Sequence, residues 1–157
     1  MTTVIVATDG SDLAMTAAVA GLSLARHADK VLVVAVADLL DSSLTQDATG
    51  HAAASMTPAE LESHNRNIEE EGNGWVQATA EALRNAAGGS ADIDTRVIDG
   101  DPGPALCQLA AEVGASALIV GSRGRGGIRR ALLGSVSDYI VRNAPCSVIV
   151  SREVSTS

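Results

Sequence analysis

The stretch Val31-Leu32-Val33-Val34-Ala35-Val36-Ala37 is apolar at every position, and it limits what this chain can become more than any other segment. A strand with one face in water alternates polar and apolar side chains, whereas an unbroken apolar run belongs to a strand covered on both faces, as in a parallel sheet between layers of helix. The neighbouring segments supply those helices. TVIVAT (3–8) is a short β-branched run that ends in Asp9, Gly10 and Ser11, a strand exit followed by a helix N-cap. Leu13, Ala17, Ala20 and Leu24 then recur at helical spacing, which predicts a first helix with these residues on its buried stripe, closed by HADK before the apolar run. The order is β-α-β.

Residues 38–57 have no period and predict a long loop. Thr57-Pro58 with Glu60 forms a capping-box pattern that starts a second helix running towards Ala87. Gly72 and Gly74 weaken its middle by about 1 kcal/mol each relative to alanine and predict a kink near Gly72; GGS at 88–90 ends it. IDTRVI (93–98) predicts a third strand at a sheet edge. Leu106, Leu109, Ala110 and Val113 mark a short helix stopped by Gly114, and ALIVG (117–121) a fourth buried strand. SVSDYIVRNA, with Ser135 as cap, and CSVIV (146–150) complete the pattern as the last helix and a fifth strand. Five strands alternating with four helices predict an α/β fold, a three-layer doubly wound parallel sheet with helices on both faces. Its ligand crevice lies at the carboxyl ends of the strands. With the first strand central, the exits at Asp9 and Gly121 are neighbours.

Composition narrows the function. At 157 residues the chain is expected to form one domain spanning 1–157, and its core must be built from Ala, Val, Ile and Leu because Trp75 and Tyr139 are the only aromatics. A formal net charge of −8 opposes general binding to nucleic acid or to anionic membranes, so an anion site here must be local. No apolar run approaches the roughly 20 residues of a membrane span. Cys107 and Cys146 lack CxxC or ligand spacing, and the opening MTTVIVATDG has no basic segment, which together give the expectation of a reducing cytoplasm and of thiols acting as small buried hydrophobes. His27, His51 and His64 have no metal-ligand spacing and are expected at the surface, and Glu69 to Glu71 on a solvated helix face.

GSRGRGG (121–127) is the segment with chemistry. Gly121, Gly124, Gly126 and Gly127 allow backbone amides to approach a ligand without an intervening Cβ, and successive amides turned one way form an anion nest. Gly134-Ser135 opens the next helix, whose first-turn amides and dipole make a second phosphate site, with the Ser135 hydroxyl as a further donor. Arg123, Arg125, Arg129 and Arg130 place four of the eleven basic residues within eight positions. The pattern is neither a P-loop, since the only lysine, Lys30, lies elsewhere, nor a dinucleotide fingerprint, since TDGSD follows the first strand.

Along almost its whole length, from TDGS through DGDPGPAL to VGSRGRGGIRRALLGSVSDYIVRNAPCSVIV, the chain resembles the universal stress protein family. Its nucleotide-binding branch carries G-x2-G-x9-G-[ST], and Gly121, Gly124, Gly134 and Ser135 fill each fixed position. The resemblance implies strand order 3-2-1-4-5 and an ATP site. It implies Asp9 on the ribose with Ala7 beside it, backbone at Val36 on the adenine edge, Gly121, Ser122, Arg123, Gly124, Arg125, Gly126 and Gly127 around ribose and phosphates, and Gly134, Ser135 and Val136 on the phosphate tail. Ala35 stands where family members often have histidine. A bound triphosphate ordinarily brings Mg²⁺ or Mn²⁺.

No Ser/His/Asp set, acid–base pair or Walker lysine can be assembled, which favours a stress-response regulator or nucleotide sensor over an enzyme. A receptor for a signalling nucleotide such as cyclic AMP, or a slow ATPase or phosphotransferase, are the alternatives. The last strand is an edge that needs cover, and in relatives of the family it pairs across a two-fold axis, implying a homodimer.

Overall fold

The computed structural model describes residues 1–25, 27–40, 56–87, 92–123 and 133–152. The elements run β1 (Thr3–Ala7), α1 (Asp12–Leu24), β2 (Lys30–Ala37), α2 (Pro58–Ala87), β3 (Asp92–Asp99), α3 (Pro102–Glu112), β4 (Ala117–Gly121), α4 (Ser135–Asn143) and β5 (Ser147–Ser151). The five strands form one sheet in the order β3-β2-β1-β4-β5, every neighbouring pair parallel. β1 is central, with Ala7 opposite Val34 of β2 and Val6 opposite Ile119 of β4.

The apolar run of β2 divides by parity between two cores. Val31, Val33 and Ala35 join Val4, Val6 and Ile119 beneath Ala18 of α1 and Val76, Ala80 and Leu83 of α2. Leu32 and Val34 join Ile5, Leu118 and Val120 beneath Leu106, Leu109 and Ala110 of α3 and Ile140 of α4. β3 lies at one edge, as expected, with exposed Asp92 and Asp94; Asp94 meets Lys30 at 2.6 Å. The hydrogen bond and charge of that pair hold the Lys30 ammonium above and the Asp94 carboxyl below their ordinary ranges.

Helix α1 is rotated from the predicted stripe. Leu13 and Leu24 are exposed, at 42% and 75%, and the buried positions are Ala14, Ala17, Ala18 and Gly21. The helix lies so near β4 that a Cβ on Gly21 would stand 2.3 Å from Ile119 Cγ2. Only the smallest side chains fit that gap, so the bulky leucines are turned outward. The helix also stops at Leu24, ahead of HADK.

Helix α2 begins with the expected capping box: Thr57 N–H donates to Glu60 Oε2 at 2.7 Å and Glu60 N–H to Thr57 Oγ1 at 3.3 Å. The Thr57 amide first, and then the Thr57 hydroxyl, hold the Glu60 carboxyl below its ordinary range, so the carboxylate arm of the box is present above that range and is lost as pH falls through the lowered pKa. The helix continues as one element through Gly72 and Gly74. Gly72 is buried against Val97, a Cβ there reaching 3.1 Å from Val97 Cγ1, so this glycine serves close contact with β3. Asn65 grips the chain leaving β2, its Oδ1 accepting from Leu40 N–H at 3.0 Å and its Nδ2 donating to Leu40 O at 2.9 Å.

Ser135 is the first residue of α4, not its cap; Gly134 is the N-cap, with extended backbone at φ −75° and ψ 165°. β5 is displaced by one residue, leaving Cys146 just before it. Cys107 and Cys146 are free and half-buried against the α3/α4 core, and burial raises both thiol pKa values. His27 and Glu69 to Glu71 are exposed and His64 half-buried. The predicted helix stop at 88–90, residues 41–55 of the long loop, His51, Arg129 and Arg130 lie outside the described residues.

Gly21→Ala is expected to lower stability by about 1–3 kcal/mol in urea unfolding, overpacking outweighing the better helix propensity of alanine. Leu24→Ser should change it by less than about 0.5 kcal/mol.

Candidate functional site

At the carboxyl ends of the central strands the chain forms a cleft of about 500 Å³, within the range of small-molecule sites. Its position follows from the winding. β1 is flanked by β2 on one side and β4 on the other, so the connections leaving β1 and β4 part to opposite faces and leave a crevice between them. Ala7, Val34, Val36, Leu106 and Val120 give an apolar floor, Asp9 stands at the β1 exit, and Gly121, Arg123, Gly134, Ser135 and Val136 form the far side.

The β1 exit is built by short-range hydrogen bonds. The Asp9 carboxylate accepts from Ser11 N–H at 3.0 Å and from Ser11 Oγ at 2.6 Å, and Ser11 Oγ in turn accepts from Ala14 N–H at 3.1 Å as the cap of α1. Asp9 is therefore held beside the start of α1, where the helix dipole favours its charge. The turn between them needs Gly10 at φ +74°, a conformation that costs a residue with a Cβ. Thr8 is tied to α2 through a buried hydrogen bond between its hydroxyl and that of Thr79, 2.9 Å apart.

The other wall depends on one carbonyl. Ser122 O accepts from Gly134 N–H at 2.8 Å and from Ser137 Oγ at 3.2 Å, so the start of α4 is fastened to the end of β4. Ser122 N–H donates to Ser151 O of β5 at 2.9 Å. Gly134 contributes no side-chain cap, so the first-turn amides of α4 open beside the cleft without an acceptor from their own cap residue. Asp138, in that first turn, is engaged by Arg142 at 3.0 Å. Amides and dipole thus place positive potential at this end of an otherwise acidic chain.

Of the residues expected at the site from sequence, Ala7, Asp9, Val36, Gly121, Arg123, Gly134, Ser135 and Val136 line this one cleft. Ser122 does not line it: it is 7% exposed, and its backbone is engaged with Gly134, Ser137 and Ser151. Gly124, Arg125, Gly126 and Gly127 lie outside the described residues. Sequence reasoning did not find Thr8, Trp75, Pro102 or Ser137, which also line the cleft. Trp75 had one signal, being the sole tryptophan in a chain almost without aromatics. Among the described residues no group of three or more His, Cys, Asp or Glu is placed to hold a metal ion, and no helix is long and apolar enough to cross a membrane.

A doubly wound sheet with an apolar crevice at its switch point, an acid on one side and a helix N-terminus on the other, defines a class: an α/β domain whose crevice has the shape and polarity suited to a small, partly anionic molecule. The chain belongs to the universal stress protein family, whose family model matches residues 1–152. It is 27% identical to a universal stress protein of Methanocaldococcus jannaschii over 153 residues, 96% of this chain and 81% of that protein. Its fold matches the structure of universal stress protein UspA from Lactobacillus plantarum with a TM-score of 0.75 at 22% identity, over 96% and 97% of the two chains. A universal stress protein solved in complex with cAMP aligns with a TM-score of 0.63 at 27% identity, over 98% of each chain.

Ser137→Ala removes a donor to the Ser122 carbonyl and should cost about 0.5–1.5 kcal/mol. Amide exchange at Gly134 in native protein is expected to accelerate in parallel, reporting a looser start to α4.

Proposed function

We propose that this chain is an adenine-nucleotide-binding regulator that holds ATP in the cleft at the strand ends. The observation that carries this reading is the union, in one crevice, of an apolar floor, the Asp9 carboxylate and the uncapped α4 N-terminus. These are the three chemistries that a base, a sugar hydroxyl and a phosphate chain require. In this reading the base rests on Ala7, Val34 and Val36, Asp9 accepts from the ribose hydroxyls, and the amides and hydroxyl at Gly134, Ser135 and Val136 receive phosphate. Arg123, with Gly124, Arg125, Gly126 and Gly127, completes the phosphate side, and any Mg²⁺ or Mn²⁺ is carried by the phosphates themselves. The function is binding rather than turnover, exerted by one domain in the cytoplasm. Occupancy of the cleft thereby reports the nucleotide's level.

A second reading is a cyclic AMP receptor on the same cleft, favoured by the relative solved with cAMP. Calorimetry with ATP and cyclic AMP, singly and in competition, separates the two. ATP is expected to bind and Asp9→Ala to weaken it about tenfold, the loss of one charge-assisted hydrogen bond. An absence of ATP binding at millimolar concentration rejects the reading, and cyclic AMP binding more tightly than ATP replaces it with the second.

We also propose a homodimer formed through β5. This edge strand reads SVIVS, without a charge, whereas the opposite edge, β3, carries Asp92, Asp94, Arg96 and Asp99. Charged edges resist further pairing and neutral ones invite it. Light scattering should give twice the 15.9 kDa chain mass, and a monomer mass across the micromolar range counts against the dimer.

A further inference from the structure

We infer that Trp75 is a ligand-contacting residue of the cleft, a flat apolar wall that covers the nucleoside part of the ligand and makes the site prefer nucleosides and nucleotides to bare phosphates. The inference rests on the nucleotide reading above and deepens it.

Trp75 comes from α2, an element that contributes nothing to the glycine motif, yet its side chain lines the cleft together with Asp9. Its placement is fixed from both directions along the helix. Three residues earlier Gly72 is seated on Val97 of β3, and four residues later Thr79 is hydrogen-bonded to Thr8 at the β1 exit. Between these two anchors the indole lies over Gly10. A Cβ at Gly10 would stand 2.1 Å from Trp75 Cδ1, 2.4 Å from Cγ and 2.6 Å from Nε1. Glycine at 10 thus does two things at once: it allows the positive φ of the turn and it leaves room for the ring.

Trp75 is half-buried, so packing leaves part of its surface uncovered. It lines the same cleft as Asp9 and the start of α4. A sugar whose hydroxyls meet Asp9 is brought against this wall, and aromatic faces take bases and sugars with little dependence on base identity. A bare polyphosphate held by the α4 amides gains nothing from it. No other residue lining the cleft is aromatic among the described ones, so the discrimination falls on Trp75 alone.

Because Trp75 is the only tryptophan, its fluorescence reports this position without ambiguity. Wild type, Trp75→Phe and Trp75→Leu are titrated by calorimetry with adenosine, ATP and tripolyphosphate, and the wild-type indole is quenched with acrylamide at saturation. Adenosine and ATP are expected to shield the indole, at least halving its quenching constant, while tripolyphosphate leaves it unchanged. Trp75→Leu should weaken adenosine and ATP about tenfold and Trp75→Phe less than threefold, with tripolyphosphate unaffected in both. Nucleotide binding with unshielded wild-type indole, or with full affinity in folded Trp75→Leu, overturns the inference and leaves the nucleotide reading intact. If Trp75→Leu fails to fold, the wild-type shielding and the Trp75→Phe affinities decide. No binding of any nucleoside or nucleotide to wild type overturns both.

Discussion

A parallel sheet cannot leave a face to water when its strands carry apolar side chains on both sides, and this requirement organises the whole molecule. β2 sends Val31, Val33 and Ala35 one way and Leu32 and Val34 the other, and β1 and β4 repeat the division. Two helices must therefore lie on each face, and every strand-to-strand connection must run back over a face of the sheet to supply them. The crevice is a by-product of that demand. Where the chain leaves β1 for one face and β4 for the other, no helix can fill the space between.

The demand for cover also sets how closely the layers approach. With Phe absent and a single Trp, the interior is filled by small and medium side chains, and α1 meets β4 through Ala14, Ala17, Ala18 and Gly21. Close contact of this kind holds the start of α1, and with it Ser11 and Asp9, at a fixed height above the sheet. The acidic side of the cleft thus rests on a layer of alanines, the first of which, Ala14, itself lines the cleft.

Much of this was legible in the sequence, and the exceptions share a cause. Strands announce themselves by unbroken apolar runs, and the capping box at Thr57 and Glu60 is a local pattern that local residues satisfy. The face of α1 was misjudged because hydrophobic size is a poor guide where space is scarce: Leu13 and Leu24 are larger and more apolar than Gly21, and for that reason cannot enter. The end of β4 was correctly placed beside Asp9 because the order of the strands decides it. Trp75 and Ser137 were not found, since each owes its position to a contact with a distant part of the chain, Gly10 in one case and the Ser122 carbonyl in the other. The part that Ser122 plays in joining β4 to α4 and β5 through its backbone is likewise a long-range contact that no local pattern signals.

That occupation joins two surfaces of the protein. The peptide at Ser122 receives the amide of Gly134 on its carbonyl and gives its own amide to Ser151 of the edge strand β5. The start of α4 that borders the cleft and the rim of the sheet are consequently separated by one residue and two hydrogen bonds. Free energies of events at such closely tied places are reciprocal: whatever a molecule at the cleft does to the affinity of the rim, a molecule at the rim does equally to the cleft. The backbone of a single serine is the point through which that exchange would pass.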